Sequence, residues 1–130
     1  MGERFDMSRP IYAQIVERLK AKILAGIYPP GGHLDSVRDM AAAAGVNPNT
    51  MQRALTELER DGLVYSQRTA GRFVTEDQSM IDAAKRGLAE RHIQDFLAAM
   101  GQLGYKREEI VALLRQETCK EGITDGGAGM

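Results

Sequence analysis

A helix stop and a helix start stand almost side by side at Gly45 and Asn47-Pro48, and no other feature constrains this chain as tightly. Glycine past a helix end takes the left-handed conformation that closes it. Asn followed by Pro supplies a cap and a first helical residue that needs no N–H. Between the two there is room only for a tight turn. The helix beyond is predicted from Pro48 to about Asp61, with Gly62 as its left-handed end. At about 100° per residue its two faces separate. Met51, Ala54, Leu55 and Leu58 fall together, and Asn49, Gln52, Arg53, Thr56 and Arg60 fall on the other side. The helix before the turn is short. Ser36-Val37-Arg38-Asp39 reads as an N-cap with an acid three positions on, a variant of the capping box. Val37, Met40 and Ala41 give it an apolar stripe, and the alanines at 41–44 let a neighbouring helix approach closely.

Upstream, the first nine residues read as a loose lead-in, with Ser8 as a cap and Pro10 in a first turn. Ile11, Ile15, Leu19 and Ile23 recur every four residues, with Tyr12 and Val16 beside them, which predicts an amphipathic helix. Gly26 ends it, and Pro29-Pro30-Gly31-Gly32 forbids continuation. Downstream, Leu63–Ser66 and Arg72–Thr75 are short β-prone runs, joined by a five-residue tip, Gln67 to Gly71. After a polar stretch at 76–79 the pattern is helical from Met80 to Met100. Its apolar residues sit on two sides, as in a helix that touches two different things. Gly101 to Gly104 is a turn, and Glu108 and Glu109 open a last helix, where negative charge suits the dipole. Residues 122–130 are Gly-rich without periodicity and are expected to be disordered.

The predicted fold is mainly α with a small β-hairpin wing: a winged helix–turn–helix over 8–76, then a short two-helix tail over 79–121. Helix, helix, four-residue connection, helix and hairpin is an order that binds DNA. A recognition helix needs one apolar side to pack and one side of donors and acceptors to read the major groove, where its first residues reach the base edges. Asn47, Asn49, Thr50, Gln52 and Arg53 are amides, a hydroxyl and a guanidinium placed at that end. Arg68 and Arg72 flank the hairpin tip, where a wing meets phosphate or minor groove. The plainer alternatives are a solvated helix face, a charged loop tip, and Arg38 paired with Asp35 or Asp39.

Charge alone does not point to nucleic acid. Seventeen Lys+Arg against 18 Asp+Glu give a net charge of -1. Residues 1–75 carry ten basic against eight acidic side chains, a net of +2, and residues 76–130 seven against ten, a net of -3. DNA binding therefore requires Arg38, Arg53, Arg68 and Arg72 to share one surface. The hydrophobic share of 43% excludes a disordered chain, and a single cysteine, Cys119, excludes a disulfide scaffold. No apolar run spans a membrane and no secretory leader opens the sequence, so a cytoplasmic protein is expected. His33, His92 and Cys119 are too scattered for metal ligands, and no catalytic set or phosphate loop is present, so neither an enzyme nor a cofactor is expected. Tyr12, Phe73 and Phe96 read as core.

Residues 10–74 closely resemble the GntR family of bacterial transcription regulators. The resemblance lies in Pro10–Ile15, Gly26–Gly31, Ser36-Val37-Arg38, Gly45–Thr50, Leu58–Val64 and Gly71-Arg72-Phe73-Val74. The tail, from Phe96-Leu97 through Gly104-Tyr105 to Glu108-Glu109-Ile110, looks like the short two-helix tail of the YtrA-like subfamily. The resemblance implies that Arg38 contacts DNA, that Asn47, Asn49, Thr50 and Gln52 form the turn and opening of the recognition helix, and that Gly71 lets the wing backbone come close to the minor groove. Two positions depart from the family: Asp35 stands where Pro is usual, and Arg72 where Thr is usual, adding a candidate phosphate contact.

The tail is expected to form a dimer interface through Ile81, Leu88, Ile93, Phe96, Leu97, Met100, Ile110 and Leu114. Pairing reads two half-sites about 10 bp apart or a multiple of it. The expected function is a homodimeric, sequence-specific regulator, a repressor at a palindromic operator; the subfamily resemblance implies that the target is its own operon. The sequence leaves open a small-molecule effector between the tail helices and the winged domain and specifies no identity for it. The competing reading is a winged module that contacts protein instead of DNA.

Overall fold

The computed structural model describes residues 4–121; the Gly-rich stretch expected to be disordered lies outside them. Five helices and one hairpin follow in the order α1 (Ile11–Leu24), α2 (Val37–Ala44), α3 (Pro48–Arg60), β1 (Val64–Gln67), β2 (Gly71–Val74), α4 (Gln78–Gln102) and α5 (Arg107–Glu121). The chain divides into two compact units, Met1–Arg86 and Gly87–Met130, and the division falls inside α4.

In the first unit α1 and α2 pack on α3. Ile15, Leu19 and Ile23 of α1, Met40, Ala41 and Ala44 of α2, and Met51, Ala54, Leu55 and Leu58 of α3 are all buried. The apolar face expected for α3 is its buried face, residue for residue. Both helix signals at the turn operate as read. Gly45 sits at φ 73°, and the Asn47 carboxamide accepts from the Asn49 N–H at 2.7 Å. Ser36 caps α2 by accepting from the Asp39 N–H at 3.1 Å.

The N-terminal lead-in is not loose. Gln14, the one buried polar residue among those described, accepts from the Asp6 N–H at 2.8 Å and donates to the carbonyls of Asp6 and Arg9. Ser8 does not cap α1; it donates to the Asp6 carboxylate, and Pro10 stands at the cap position without a side-chain bond. A buried amide must find partners, and here it finds them in backbone the sequence pattern leaves unassigned.

β1 and β2 pair antiparallel, with Val64 opposite Val74, Ser66 opposite Arg72 and Gln67 opposite Gly71. The tip is therefore three residues, Arg68, Thr69 and Ala70, rather than five, because Gln67 and Gly71 still pair. Thr69 takes the left-handed conformation at φ 63° that so short a tip requires. Residues 31–34 run along the outer side of β2: the Leu34 N–H donates to the Arg72 carbonyl and the Val74 N–H to the Gly32 carbonyl, each at 2.9 Å. Buried Leu63, Val64 and Val74 seat the hairpin on the helical core.

Asp77 immediately precedes α4, and its carboxylate accepts from the Ser79 N–H and hydroxyl and from the Met80 N–H. The Ser79 hydroxyl, then the Met80 N–H, hold this carboxyl below its ordinary value of 3.8. In the second unit, Glu109 reaches back to the Lys106 N–H at 2.8 Å at the head of α5, one half of a capping box.

Candidate nucleic-acid interface

With one face of α3 committed to the core, its other face is open. Asn49, Gln52, Arg53 and Thr56 are exposed and Thr50 is half-buried. Thr56 turns its hydroxyl onto the Gln52 carbonyl at 2.9 Å, so its polar group is used within the helix. The carboxamides of Asn49 and Gln52 extend from the first turns, beyond a cap that already occupies Asn47.

Arg53 does not wave freely. Its guanidinium carbon lies 3.7 Å from the centre of the Tyr12 ring, a cation–π contact between α1 and α3. Pro10, Ile11, Tyr12, Asn49, Thr50 and Arg53 line one open concavity, which joins the start of α1 to the outer face of α3. Tyr12 was expected in the core. It is half-buried instead, as a platform, and the sequence signal for that role is only its place at the head of α1.

The wing carries two arginines with different fates. Arg68, at the tip, is exposed, and it makes no ion pair among the described residues. Arg72 is 19% exposed and turns inward, its Nε donating to Glu59 Oε2 at 3.3 Å. The same carboxylate oxygen accepts from the Ser66 hydroxyl. Of the four arginines expected to share one surface, Arg38, Arg53 and Arg68 are exposed, whereas Arg72 is committed to Glu59. Glu59 stands outside both faces read from the sequence, and nothing in its spacing indicates that the wing would meet it.

Gly71 has φ +99°, and a Cβ there would come within 2.9 Å of His33 Nε2. His33 is bonded to the Ala70 carbonyl at 2.8 Å and lies against Phe73, ring centres 4.8 Å apart. Phe73 in turn stacks on Tyr65 at 5.7 Å. His33 therefore buttresses the wing, and Phe73 is a half-buried spacer rather than core. A second concavity runs from Ser36 and Val37 at the head of α2 to Thr69, Gly71 and Arg72 of the wing. Arg38 follows Val37, is exposed, and pairs with neither Asp35 nor Asp39 among the described residues.

The tail residues separate into two groups. Ile81 and Ile110 are each 3% exposed within one chain, Ile81 in the first unit and Ile110 in the second, so both serve internal packing. Leu88, Leu97 and Met100 are half-buried. Ile93 at 53%, Phe96 at 39% and Leu114 at 46% stand open, and Phe96 is not core. Val111 and Tyr105, outside the expected set, are exposed as well. Among the described residues no group of His, Cys, Asp and Glu could hold a metal ion, and no helix is long and apolar enough to cross a membrane.

Comparison with known proteins agrees with this architecture. The profile of bacterial regulatory proteins, gntR family, matches residues 11–74. Over 130 residues the chain is 37% identical to the uncharacterized HTH-type transcriptional regulator YhcF of Bacillus subtilis, covering 98% of this chain and 100% of that one. It is 43% identical over 70 residues to the HTH-type transcriptional repressor YtrA of Bacillus subtilis, covering 54% of each. A GntR family transcriptional regulator from Listeria monocytogenes superposes with a TM-score of 0.82 at 38% identity, over 86% of this chain and 98% of that one. The AraR DNA-binding domain, solved in complex with operator ORR3, superposes with a TM-score of 0.50 at 29% identity over 58% of this chain and 88% of its own. These relatives are transcriptional regulators, not enzymes. The chain belongs to the GntR family of bacterial regulatory proteins.

Proposed function

We propose that this chain is a sequence-specific DNA-binding transcriptional regulator of the YtrA-like kind, acting in the cytoplasm as a homodimer and repressing its own operon by occupying a palindromic operator. One observation carries the reading: α3 buries Met51, Ala54, Leu55 and Leu58 and leaves Asn49, Gln52 and Arg53 uncovered. A helix presented in this way fits the major groove, and its amides can pair with base edges there.

In this reading Asn49 and Gln52 read bases. Arg53, Arg38 and Arg68 contact phosphate or base edges. Asn47 and Thr50 shape the entry of the helix, and Gly71 brings the wing backbone close to DNA. The tail at 79–121 joins two copies through Ile93, Phe96 and Leu114, together with Leu88, Leu97 and Met100. A repressor's name on YtrA and an operator bound to the AraR domain support these assignments.

The test is retardation of the duplex upstream of the gene in a native gel at low salt. A shifted band that an unrelated duplex does not compete away supports the proposal. Absence of any shift at low salt refutes it and favours a protein partner for the same face.

A further inference from the structure

Serine and arginine directly across the wing from each other, Ser66 on β1 and Arg72 on β2, converge on one carboxylate oxygen of the recognition helix. We infer that Glu59 is a positioning residue that clamps both wing strands to α3 and withholds the charge of Arg72 from DNA. The inference rests on the DNA-binding reading above and adds to it the element that fixes the wing.

The geometry supports this at three points. Glu59 lies in the last turn of α3, on the same helix as Asn49 and Gln52, so a bond from it to the wing sets the wing relative to the base-reading side chains. Arg72 presents its Nε, at 3.3 Å, to that carboxylate and keeps only 19% of its side chain exposed, with Glu59 at 27%. Arg68, four residues earlier at the tip, is exposed and makes no ion pair among the described residues, so the wing does present one unneutralised arginine. A guanidinium already matched to a carboxylate releases few counterions when DNA arrives, whereas an unmatched one that meets a phosphate does. Arg68 and Arg72 therefore act differently on DNA although both stand on the wing: one by charge, the other by holding shape.

The salt dependence of binding separates these roles, because a purely structural residue does not move it. Affinity is measured between 50 and 200 mM salt, chosen as about the range over which phosphate contacts dominate. The probes are a duplex that the wild-type protein selects from a random library and an unrelated duplex of equal length. Glu59→Gln frees Arg72, so the slope of log affinity against log salt steepens by about 0.9, the increment of one phosphate contact. Preference for the selected duplex falls several-fold, because the wing is no longer held. The charge-neutral double variant Glu59→Gln/Arg72→Gln restores the wild-type slope and keeps the poorer preference.

A double variant shallower than wild type by about 0.9, with Glu59→Gln unchanged, means that Arg72 meets phosphate in the wild type and overturns the inference. Unchanged slope and unchanged preference in both variants overturn it equally. If the double variant does not fold, the slope of Glu59→Gln alone decides. A wild-type protein that selects no duplex overturns the DNA-binding reading itself, a result distinct from all of these.

Discussion

Tyr12 and Arg53 show how a single contact gives a side chain a direction. An arginine on a helix surface samples many rotamers; the contact with the Tyr12 ring, 3.7 Å from its centre, favours one placement of the Arg53 guanidinium. Tyr12→Phe keeps the contact and should leave DNA affinity within about twofold of wild type. Tyr12→Leu removes it and should weaken binding by the ~0.5–1 kcal/mol of an exposed cation–π contact. Titration of both variants against one duplex checks this, and equal loss in the two would assign the tyrosine's role to its hydroxyl. Gln52→Ala should reduce discrimination at one base pair by about 1–3 kcal/mol while changing the salt slope little. Gly71→Ala meets both a φ of +99° and the His33 ring at 2.9 Å. It should lower unfolding free energy by more than about 1 kcal/mol in denaturant titration.

Legibility at this scale follows from distance along the chain. The Asn47 cap and the Gly45 stop depend on their immediate neighbours and read directly from sequence. The Tyr12–Arg53 contact and the Arg72–Glu59 pair join residues far apart in the chain, and periodicity carries no information about which acid a given arginine meets.

At the level of elements, α3 was the most legible, because a strict separation of apolar and polar residues fixes which side faces the core. The hairpin was legible in existence and not in register: alternation in runs of four residues does not distinguish a three-residue tip from one of five. The N-terminal lead-in was illegible, since its order comes from the buried Gln14 amide and not from any pattern of its own. Asn47→Ala should cost about 1 kcal/mol of stability, seen as a lowered unfolding midpoint, because the Asn49 N–H loses its acceptor. The head of α4 has a pH signature. The Asp77 carboxyl titrates below 3.8 in the folded chain, held there first by the Ser79 hydroxyl. A lowered folded value means the carboxylate's contribution is complete above the unfolded value and is lost as pH falls through the folded one. The melting difference between wild type and Asp77→Ala should thus stay constant near neutrality and close in acid, below pH 3.8. A difference that persists unchanged into that range would contradict the cap.

On the scale of the molecule, one winged unit reads a few base pairs, and a second copy is needed to read two half-sites. Ile93 and Phe96 lie one turn apart on α4, and Val111 and Leu114 one turn apart on α5, all exposed in the single chain. Phe96→Glu should shift the protein to monomer in sedimentation and, by removing the linkage between half-sites, weaken binding to a two-half-site duplex by roughly 100-fold or more. Affinity for a single half-site should stay near that of wild type. The tail was legible as apolar helices, while the internal roles of Ile81 and Ile110 were not, because a buried residue and an interface residue share one hydrophobic signature until the fold covers one of them.

The most direct test of the account is selection from a random duplex library by the full-length protein, repeated with Asn49→Ala/Gln52→Ala. Wild type should enrich an inverted repeat whose half-sites lie about 10 bp apart or a multiple of it. The double variant should still bind DNA yet lose enrichment at the positions those amides read. Enrichment of the same repeat by both proteins, or of no sequence by either, would contradict the placement of the outer face of α3 in the major groove.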